Sequence, residues 1–395
     1  MTFFLLLVTS LSLIIWLYLI LARGQFWLSN QKINPVTSPL TNYPKVSAII
    51  PARNEADVLP ISLPSLFNQD YQGEFSIILI DDQSSDDTVK VAQEIADQSH
   101  KSGQITIIAG QPLEIGWTGK LWAMKQGIKE ATEKFAPDYF LFTDADIAQA
   151  PDNLTQLVTK AVQEKQALVS LMVLLRCDSF WEKFLIPAFV FFFEKLYPFP
   201  LVNNPNSPIA AAAGGCILIR RDILEKIGGI EILKQALIDD CSLAIAVKKY
   251  LQNHPENNES SIWLGLTETT YSLRPYPDLA SIWNMVARTA FTQLNYSTLW
   301  LIGTIFGMFL TYLAAPLGLI WGLVLKQTSM TIISTVTLLL IALSYSPTLR
   351  LYKLSPLRAL TLPLIALFYS LMTIDSALRY WRGQGGGWKG RVYPN

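Results

Sequence analysis

The chain has 395 residues and a formal net charge of zero; 51% of its residues are hydrophobic and only 16% are charged. Mean hydropathy is +0.30. A net charge of zero argues against a nucleic-acid-binding protein, which would carry an excess of basic residues. The low charged fraction predicts membrane segments. The three cysteines, Cys177, Cys216 and Cys241, are odd in number and far apart. They indicate reduced core residues, not a disulfide set or a zinc site.

The chain begins with an apolar run from Phe3 to Leu21, long enough to span a bilayer. A secretory signal peptide would have basic residues before the run and a small-residue cleavage site after it, and this run has neither. Residues 1–22 are therefore predicted to be a transmembrane anchor. Arg23 and Lys32 follow it, so the positive-inside rule predicts a cytoplasmic domain. Residues 23–44, with three prolines, are a predicted linker.

Residues 45–297 alternate short apolar runs with helical patterns. Strands are predicted at 46–50, 75–80, 105–109, from 140 onward, at 167–175 and at 262–266, with a strand also following the small residues 210–215. Pro51 is expected to break the first strand, and a helix is expected to start at Asn54. This alternation predicts an α/β domain, Rossmann-like, with a doubly wound and mostly parallel sheet.

Acidic residues follow successive predicted strands. They are Glu55, Asp81, Asp82, Asp144, Asp146, Asp239 and Asp240. Any one pair could be a helix cap or an Asp-rich turn. Together they would line the rim at the carboxyl ends of the strands, where ligands bind in open α/β sheets. Asp144 and Asp146 could hold a divalent metal, Mg²⁺ or Mn²⁺, whose other ligands would be substrate phosphate oxygens.

The C-terminal part, residues 298–377, is a predicted transmembrane region with apolar blocks at 299–325, 330–343 and 359–374. The loop at 350–358 and the tail at 378–395 are both basic, so both are expected in the cytoplasm. Three simple spans would place the tail outside. Either the first block, which contains Pro316, folds back on itself, or one block is re-entrant.

Two further apolar segments are expected near the membrane. Residues 180–199 are rich in aromatic residues and form either a helix in the membrane interface or a core helix of the domain. Residues 278–293 have the pattern of an amphipathic helix at the membrane face.

Four motifs resemble those of glycosyltransferase family 2 with a GT-A fold. Pro51-Ala-Arg-Asn-Glu55 is similar to the P-x-x-N-E opening, Ile80 to Thr88 to the nucleoside site, and Asp144-Ala-Asp146 to the D-x-D metal motif. Ile238-Asp-Asp240 is similar to the T-E-D motif with Glu replaced by Asp. The resemblance covers residues 46–294. Residues 116–123, 285–293 and 388–391 resemble the membrane-bound transferases associated with hopanoid and carotenoid lipids.

The resemblance implies an inverting glycosyltransferase that moves a sugar from a nucleotide-diphospho-sugar to a lipid hydroxyl of the hopanoid or carotenoid type. The nucleotide-sugar that it implies is a UDP-sugar. Asp240 is implied as the catalytic base, and Asp144 and Asp146 as the metal ligands. Residues implied in substrate or nucleotide binding are Pro51, Arg53, Glu55, Asp81, Asp82, Lys120, Asp144, Gly215, Asp239 and Arg288. The protein is expected to be a multi-pass protein of the cell (inner or plasma) membrane with its catalytic domain in the cytoplasm.

Three other classes of protein would carry different residues at these positions. A transporter or scaffold would place ionisable residues inside the spans, where only Asp375 stands, at an edge. A phosphatase with an aspartyl nucleophile would carry Thr or Val at position 148, which is Ala. A processive polysaccharide synthase would carry Q-x-x-R-W, whereas Trp283, Arg288 and Gln293 occur here in the reverse order.

Overall fold

The computed structural model describes residues 2–33, 38–254, 261–384, 387–388 and 391–392. Parts of the predicted linker and of the predicted basic tail lie outside these ranges. In the tail, the backbone of Gly387–Trp388 pairs antiparallel with that of Arg391–Val392.

The domain is built on one mixed sheet. Its strands are β1 Val46–Ala52, β2 Phe75–Asp81, β3 Ile105–Ala109, β4 Tyr139–Thr143, β5 Ile147–Ala148, β6 Gln166–Leu174, β7 Cys216–Arg220 and β8 Ser261–Ser272. They lie in the order β3-β2-β1-β4-β7-β6-β8-β5. The pairs among β3, β2, β1 and β4 are parallel, as is β6 with β8. β7 runs antiparallel to both β4 and β6, and β5 runs antiparallel to β8. The sheet is thus more mixed than expected.

Helices cover both faces of the sheet. They are α2 Leu59–Phe67, α3 Thr88–Gln98, α4 Gly119–Phe135, α5 Asn153–Gln163, α6 Phe180–Leu196, α7 Phe199–Val202, α8 Arg221–Lys226, α9 Asp239–Asn253 and α10 Leu279–Ala287. Successive strand residues point to opposite faces. Thus Ile49 packs in the core layer with α4, α6 and α9, and its neighbour Ile50 in the layer with α2, α3 and α5. The doubly wound arrangement is confirmed.

Three predicted boundaries were wrong. β1 continues through Pro51, which is tolerated because pairing with β4 stops at Ile49 and Pro51 has a partner only in β2. The helix after it begins at Leu59, not Asn54, because Asn54 has a left-handed φ of 53° and the Glu55 N–H donates to Thr88 Oγ1. β8 extends six residues beyond Leu266, to Ser272.

The described residues include five helices long and apolar enough to cross a membrane. Four are α1 Thr2–Leu21, the segment Thr298–Val324, α13 Thr328–Leu351 and the segment Pro356–Trp381, which contains α14 Leu362–Trp381; the fifth is Phe180–Val202. The predicted block 299–325 does not fold back. Instead α11 Thr298–Met308 passes through a π-helical turn, Phe309–Leu313, directly into α12 Ala314–Val324.

α1, α12 and α13 form a bundle with small residues at its contacts. A Cβ placed on Gly318 of α12 would lie 2.2 Å from Thr9 Cγ2 and 2.6 Å from Ser334 Oγ. Small residues allow such close approach of membrane helices. The indole Nε1 of Trp16 donates to the Thr311 carbonyl at 2.6 Å. This bond satisfies a backbone group in the π-helical turn, where the regular helical pairing is interrupted.

α6 begins and ends beside the sheet. It lies between β6 and β7, which are neighbouring strands of the same sheet. A single crossing of a bilayer would place those two strands on opposite sides, so Phe180–Val202 does not cross alone. Leu185, Ile186 and Phe191 on its inner side are fully buried, whereas Phe180 at its start is exposed. The sequence left two alternatives for this segment, a helix in the membrane interface and a core helix of the domain. The buried inner side of α6 is that of a core helix.

Candidate functional site

One cavity of about 480 Å³ opens at the carboxyl ends of β1 and β4. Eight of the predicted site residues line it: Pro51, Glu55, Lys120, Asp144, Asp146, Gly215, Asp239 and Arg288. They come from strand ends, the start of α4, the turn before β7, the start of α9 and the end of α10. The sheet topology therefore gathers residues up to 237 positions apart into one site. Arg53, Asp81, Asp82 and Asp240 lie beside the cavity and do not line it.

The two carboxylates after β4 differ in their surroundings. The Asp144 side chain is 38% exposed and forms an ion pair with Lys120 at 2.9 Å. Asp146 is buried, and the Arg274 Nε donates to its Oδ2 at 2.8 Å. Burial and the nearby charge of Asp144 raise the pKa of Asp146, and the opposing effect of Arg274 does not cancel them. Asp144 is thus the more accessible of the pair.

Arg274 is the functional residue that sequence reasoning missed. Besides Asp146 it contacts Glu55, whose Oε1 accepts from the guanidinium Nη2 at 3.1 Å. Both carboxylates are almost completely buried, at 5% exposure for Glu55 and 6% for Asp146. The loop carrying Arg274 is fixed because the Leu273 N–H donates to the Asp146 carbonyl at 2.8 Å. A β8 predicted at full length would have placed Arg274 at the same rim as the acids.

Lys120 joins the two halves of the site. Its Nζ lies 2.9 Å from Asp144 Oδ1 and 3.5 Å from Asp239 Oδ2. Burial alone would lower the pKa of Lys120, but the charges of Asp144 and Asp239 outweigh it, and the pKa lies above its usual range. Lys120 is therefore a fixed positive charge between the acids that follow β4 and those that start α9.

The predicted nucleoside segments meet beside the cavity. The Ser85 N–H donates to Asn54 Oδ1 at 2.8 Å, and the Ala56 N–H donates to Asp86 Oδ2 at 3.2 Å. The Arg53 guanidinium lies 3.8 Å from Asp82 Oδ2, and Asp82 is only 1% exposed. These bonds fix the loop after β1 against the loop after β2. The buried Asp82 therefore contributes to this edge of the cavity through its ion pair with Arg53.

Asp239 and Asp240 occupy the first turn of α9 but face different spaces. Asp239 lines the large cavity, whereas Asp240 lines a narrow recess behind it with Lys120, Asp144 and Gly214. Both Asp240 oxygens accept backbone bonds, Oδ2 from the Gly214 N–H at 2.8 Å and Oδ1 from the Cys241 N–H at 2.7 Å. Burial and the charge of Asp239 raise the pKa of Asp240 to about 6, against the opposing charge of Lys120.

α10 forms the wall of the cavity farthest from the sheet. Ser281, Asn284, Met285 and Arg288 line the cavity from this helix. The predicted helix 278–293 is shorter than expected, since α10 ends at Ala287 and residues 292–294 form a 3₁₀ turn. Asp278 caps α10 by accepting from the Ser281 N–H at 2.8 Å. This wall is polar, with one cation directed toward the acids.

The donor set suits a divalent metal held jointly with a substrate. Among the described residues, no three His, Cys, Asp or Glu side chains are grouped to hold a metal by themselves. Asp144 and Asp146 supply two carboxylates at one edge of a cavity that is large enough for phosphate groups. Mg²⁺ is commonly bound by one or two carboxylates together with substrate phosphates. These residues therefore fit such an ion, provided that Asp146 exchanges its contact with Arg274.

Comparison with known proteins relates the domain to one family. Residues 47–228 match the family model described as Glycosyl transferase family 2. This segment is similar to that family along its length, and the match covers a little less than half of the chain. The match covers β1 from Ser47 onward, every later strand through β7, and six of the eight predicted residues that line the cavity; Asp239 and Arg288 lie beyond it.

Two relatives extend the comparison. The probable glycosyltransferase YdaM of Bacillus subtilis (strain 168) is 28% identical over 209 residues, which are 52% of this chain and 46% of that protein. The chain thus spans about half the length of this curated relative. The structure of the mannosyltransferase PcManGT from Pyrobaculum calidifontis, in complex with GDP-Man and Mn²⁺, has a TM-score of 0.54 at 16% identity and covers 95% of this chain and 99% of that one. The likeness shows a shared GT-A-like fold.

Proposed function

We propose that this chain is a membrane-bound inverting glycosyltransferase that transfers a sugar from a nucleotide-diphospho-sugar to a lipid hydroxyl. The observation that carries the proposal is the single cavity in which Glu55, Asp144, Asp146, Lys120 and Arg288 converge. The match to the family 2 model supports the reaction class. The GDP-Man and Mn²⁺ present in the PcManGT structure support a nucleotide-sugar donor and a divalent metal.

In this proposal the donor diphosphate lies between the acids after β4 and the cations of the cavity. A divalent metal held by Asp144 and Asp146 would neutralise the charge that develops on the departing diphosphate. Lys120 and Arg288 both line this cavity, and each can donate to phosphate oxygens. The nucleoside would lie toward the loops after β1 and β2, near Arg53. UDP is the proposed nucleotide.

Transfer then needs a group that accepts the acceptor proton. The acceptor oxygen forms a bond to the anomeric carbon as the bond to the β-phosphate oxygen breaks, and the hydroxyl proton passes to a carboxylate. Asp240 is the proposed base, since its pKa of about 6 leaves it mostly ionised at neutral pH. Asp239 is a second candidate because it lines the cavity directly, in front of Asp240. Direct attack inverts the anomeric centre.

The acceptor is proposed to be a lipid of the hopanoid or carotenoid type, reached from the cytoplasmic leaflet of the cell membrane. Two contacts support a membrane acceptor. Trp283 and Asn284 on the α10 wall contact Asp375 and Arg379 of α14, one of the apolar helices. The cavity is therefore separated from the apolar part of the protein by a single helix.

The test is to incubate membranes containing the protein with labelled UDP-sugars and GDP-mannose and to identify labelled lipids by mass spectrometry. We expect a labelled lipid with the wild type and none with Asp146→Asn. The matched control is Asp152→Asn, the same change at an exposed acid before α5 and outside the cavity. Label found only in water-soluble products, or equal labelling in Asp146→Asn, would reject the proposal.

A further inference from the structure

The last apolar helix, α14, touches the domain at its middle and near its end. It follows α13, whose end is tied to the domain side by a 3.3 Å contact between Thr348 Oγ1 and Ser29 Oγ. At its middle, the Tyr369 hydroxyl donates to the Leu185 carbonyl of α6 at 3.0 Å. Near its end, the Phe291 N–H donates to Ser376 Oγ at 3.0 Å. A helix of 20 residues is about 30 Å long, as long as the hydrocarbon core is thick.

α6, on which α14 packs, does not cross a bilayer by itself. α6 starts beside β6 and Tyr276, whose N–H donates to Glu182 at 2.7 Å. After α6 and α7, Asn203 Oδ1 accepts from the Leu264 N–H of β8 at 2.7 Å. Both ends of this stretch are therefore held at the sheet. α14 packs on α6 at its middle and on α10 toward its end, and it also contacts α11 and the π-helical turn Phe309–Leu313. It therefore runs along the face of the domain, beside the first half of that long apolar segment.

The side of α14 turned away from the domain is a stripe of exposed apolar residues. Its members recur at spacings of three, four or seven, as one face of a helix requires: Leu364, Leu367, Leu371, Leu378 and Trp381. Leu357 and Leu360, in the 3₁₀ turn Pro356–Thr361 before α14, are exposed as well. The opposite side is buried, with Leu362, Ile365 and Met372 at 1% exposure or less. The stripe is a continuous apolar surface with no protein partner among the described residues.

Charges lie at both ends of this surface. Lys353 and Arg358 precede α14, and Arg379 and Arg382 are at its end. If α14 crossed the membrane, one of these groups would lie outside. If it lies along the surface, both stay in the cytoplasm, as the positive-inside rule requires. The sequence left two alternatives, a first block that folds back on itself or one re-entrant block, and the first block does not fold back. That leaves a block that begins and ends on the same side of the membrane.

We propose that α14 is a surface helix that lies in the plane of the cytoplasmic leaflet, with its leucine stripe in the lipid, and that α1, α12 and α13 are the crossing helices. This inference rests on the membrane attachment in the proposed function, but not on sugar transfer. It places α10, and the cavity behind it, within about one helix diameter, 10 Å, of the lipid surface. A helix in this position is bound to the leaflet by burial of its exposed apolar side.

The first test maps the sides of the membrane with single cysteines in a Cys177→Ser background, since Cys216 and Cys241 are buried. Lys353→Cys and Gln384→Cys flank α14, and Lys326→Cys lies in the turn between α12 and α13; all three positions are exposed. With an impermeant maleimide, we expect positions 353 and 384 to react in inverted vesicles and position 326 in right-side-out vesicles. Reaction of 384 from the same side as 326 would overturn the inference.

The second test measures depth by spin labels at Leu360, Leu367 and Leu378, with Leu339 in α13 as the crossing-helix control. A surface helix predicts one shallow depth for the three positions and a greater depth at Leu339. A crossing α14 would instead make Leu367 as deep as Leu339. Both tests are repeated in Asp146→Asn, because the readouts need no catalysis. An unchanged pattern in that variant separates this inference from the proposed transfer reaction.

Discussion

Arg274 compensates two buried carboxylates, and its removal should destabilise the domain measurably. The guanidinium lies 2.8 Å from Asp146 and 3.1 Å from Glu55. Removing one partner of a buried ion pair typically costs about 3–5 kcal/mol. Since the Arg274 side chain is itself 35% exposed, we expect the lower end, about 3 kcal/mol, for Arg274→Ala. At about 2–4 °C per kcal/mol for a domain of this size, the melting temperature should fall by about 6–12 °C.

The assay is thermal unfolding of the purified protein in detergent. The matched control is Arg176→Ala, which removes an arginine from a 2.8 Å pair with Asp178 on the surface, where the side chains are 42% and 73% exposed. Such a pair contributes about 0–1 kcal/mol, so that variant should melt near the wild type. Mn²⁺ without nucleotide should stabilise Arg274→Ala more than the wild type, because Asp146 has lost its competing cation. An Arg274→Ala protein that melts with the wild type and responds equally to Mn²⁺ would refute this reasoning.

Three further predictions concern the base, its pH dependence and the bundle. Asp240→Asn should lower kcat by about 10²–10⁴-fold with little change in donor affinity; if Asp239→Asn gives this pattern instead, Asp239 is the base. Because burial raises the Asp240 pKa to about 6, activity should fall as the pH drops through about 6. The same shift means that the folded state favours protonated Asp240, so this group's stabilising contribution is present below pH 4 and is lost as the pH rises through 6. Gly318→Val should disrupt the packing of α12 on Thr9 and Ser334 and lower the yield of folded protein, whereas Gly303→Val, with no atom within 4 Å of its Cβ position, should not.

The sequence was sufficient for the strands and the acidic rim because both depend on local pattern. The run from Phe140 is apolar and ends in two acids, and β4 indeed ends at Thr143, directly before Asp144. The convergence of Glu55 and Asp144 follows from the parallel strands β1 and β4, whose carboxyl ends share one edge. These parts need no knowledge of distant contacts.

Other features depend on contacts that no local pattern records. Arg274 contacts Asp146 across 128 positions, from the loop after β8, a strand whose polar second half the local pattern does not predict. The antiparallel direction of β7 depends on the path of residues 175–215, which α6 and α7 carry back to the sheet. Hydropathy identifies α14 as apolar, but the orientation of this helix relative to the domain is set by its packing on α6 and α10. Asp239 and Asp240 line different spaces, and this difference likewise depends on a distant contact, the bond from the Gly214 N–H to Asp240.

The most direct test of the central claim, that this cavity binds a nucleotide-sugar, is calorimetric titration of the purified protein with UDP, UDP-sugars and GDP-mannose in the presence of Mn²⁺. The account predicts metal-dependent binding of one nucleotide-sugar to the wild type and to Asp152→Asn. It predicts that Asp146→Asn and Lys120→Met lose most of that affinity, since both side chains line the cavity. Binding of equal strength in all four proteins, or binding unaffected by EDTA, would contradict it.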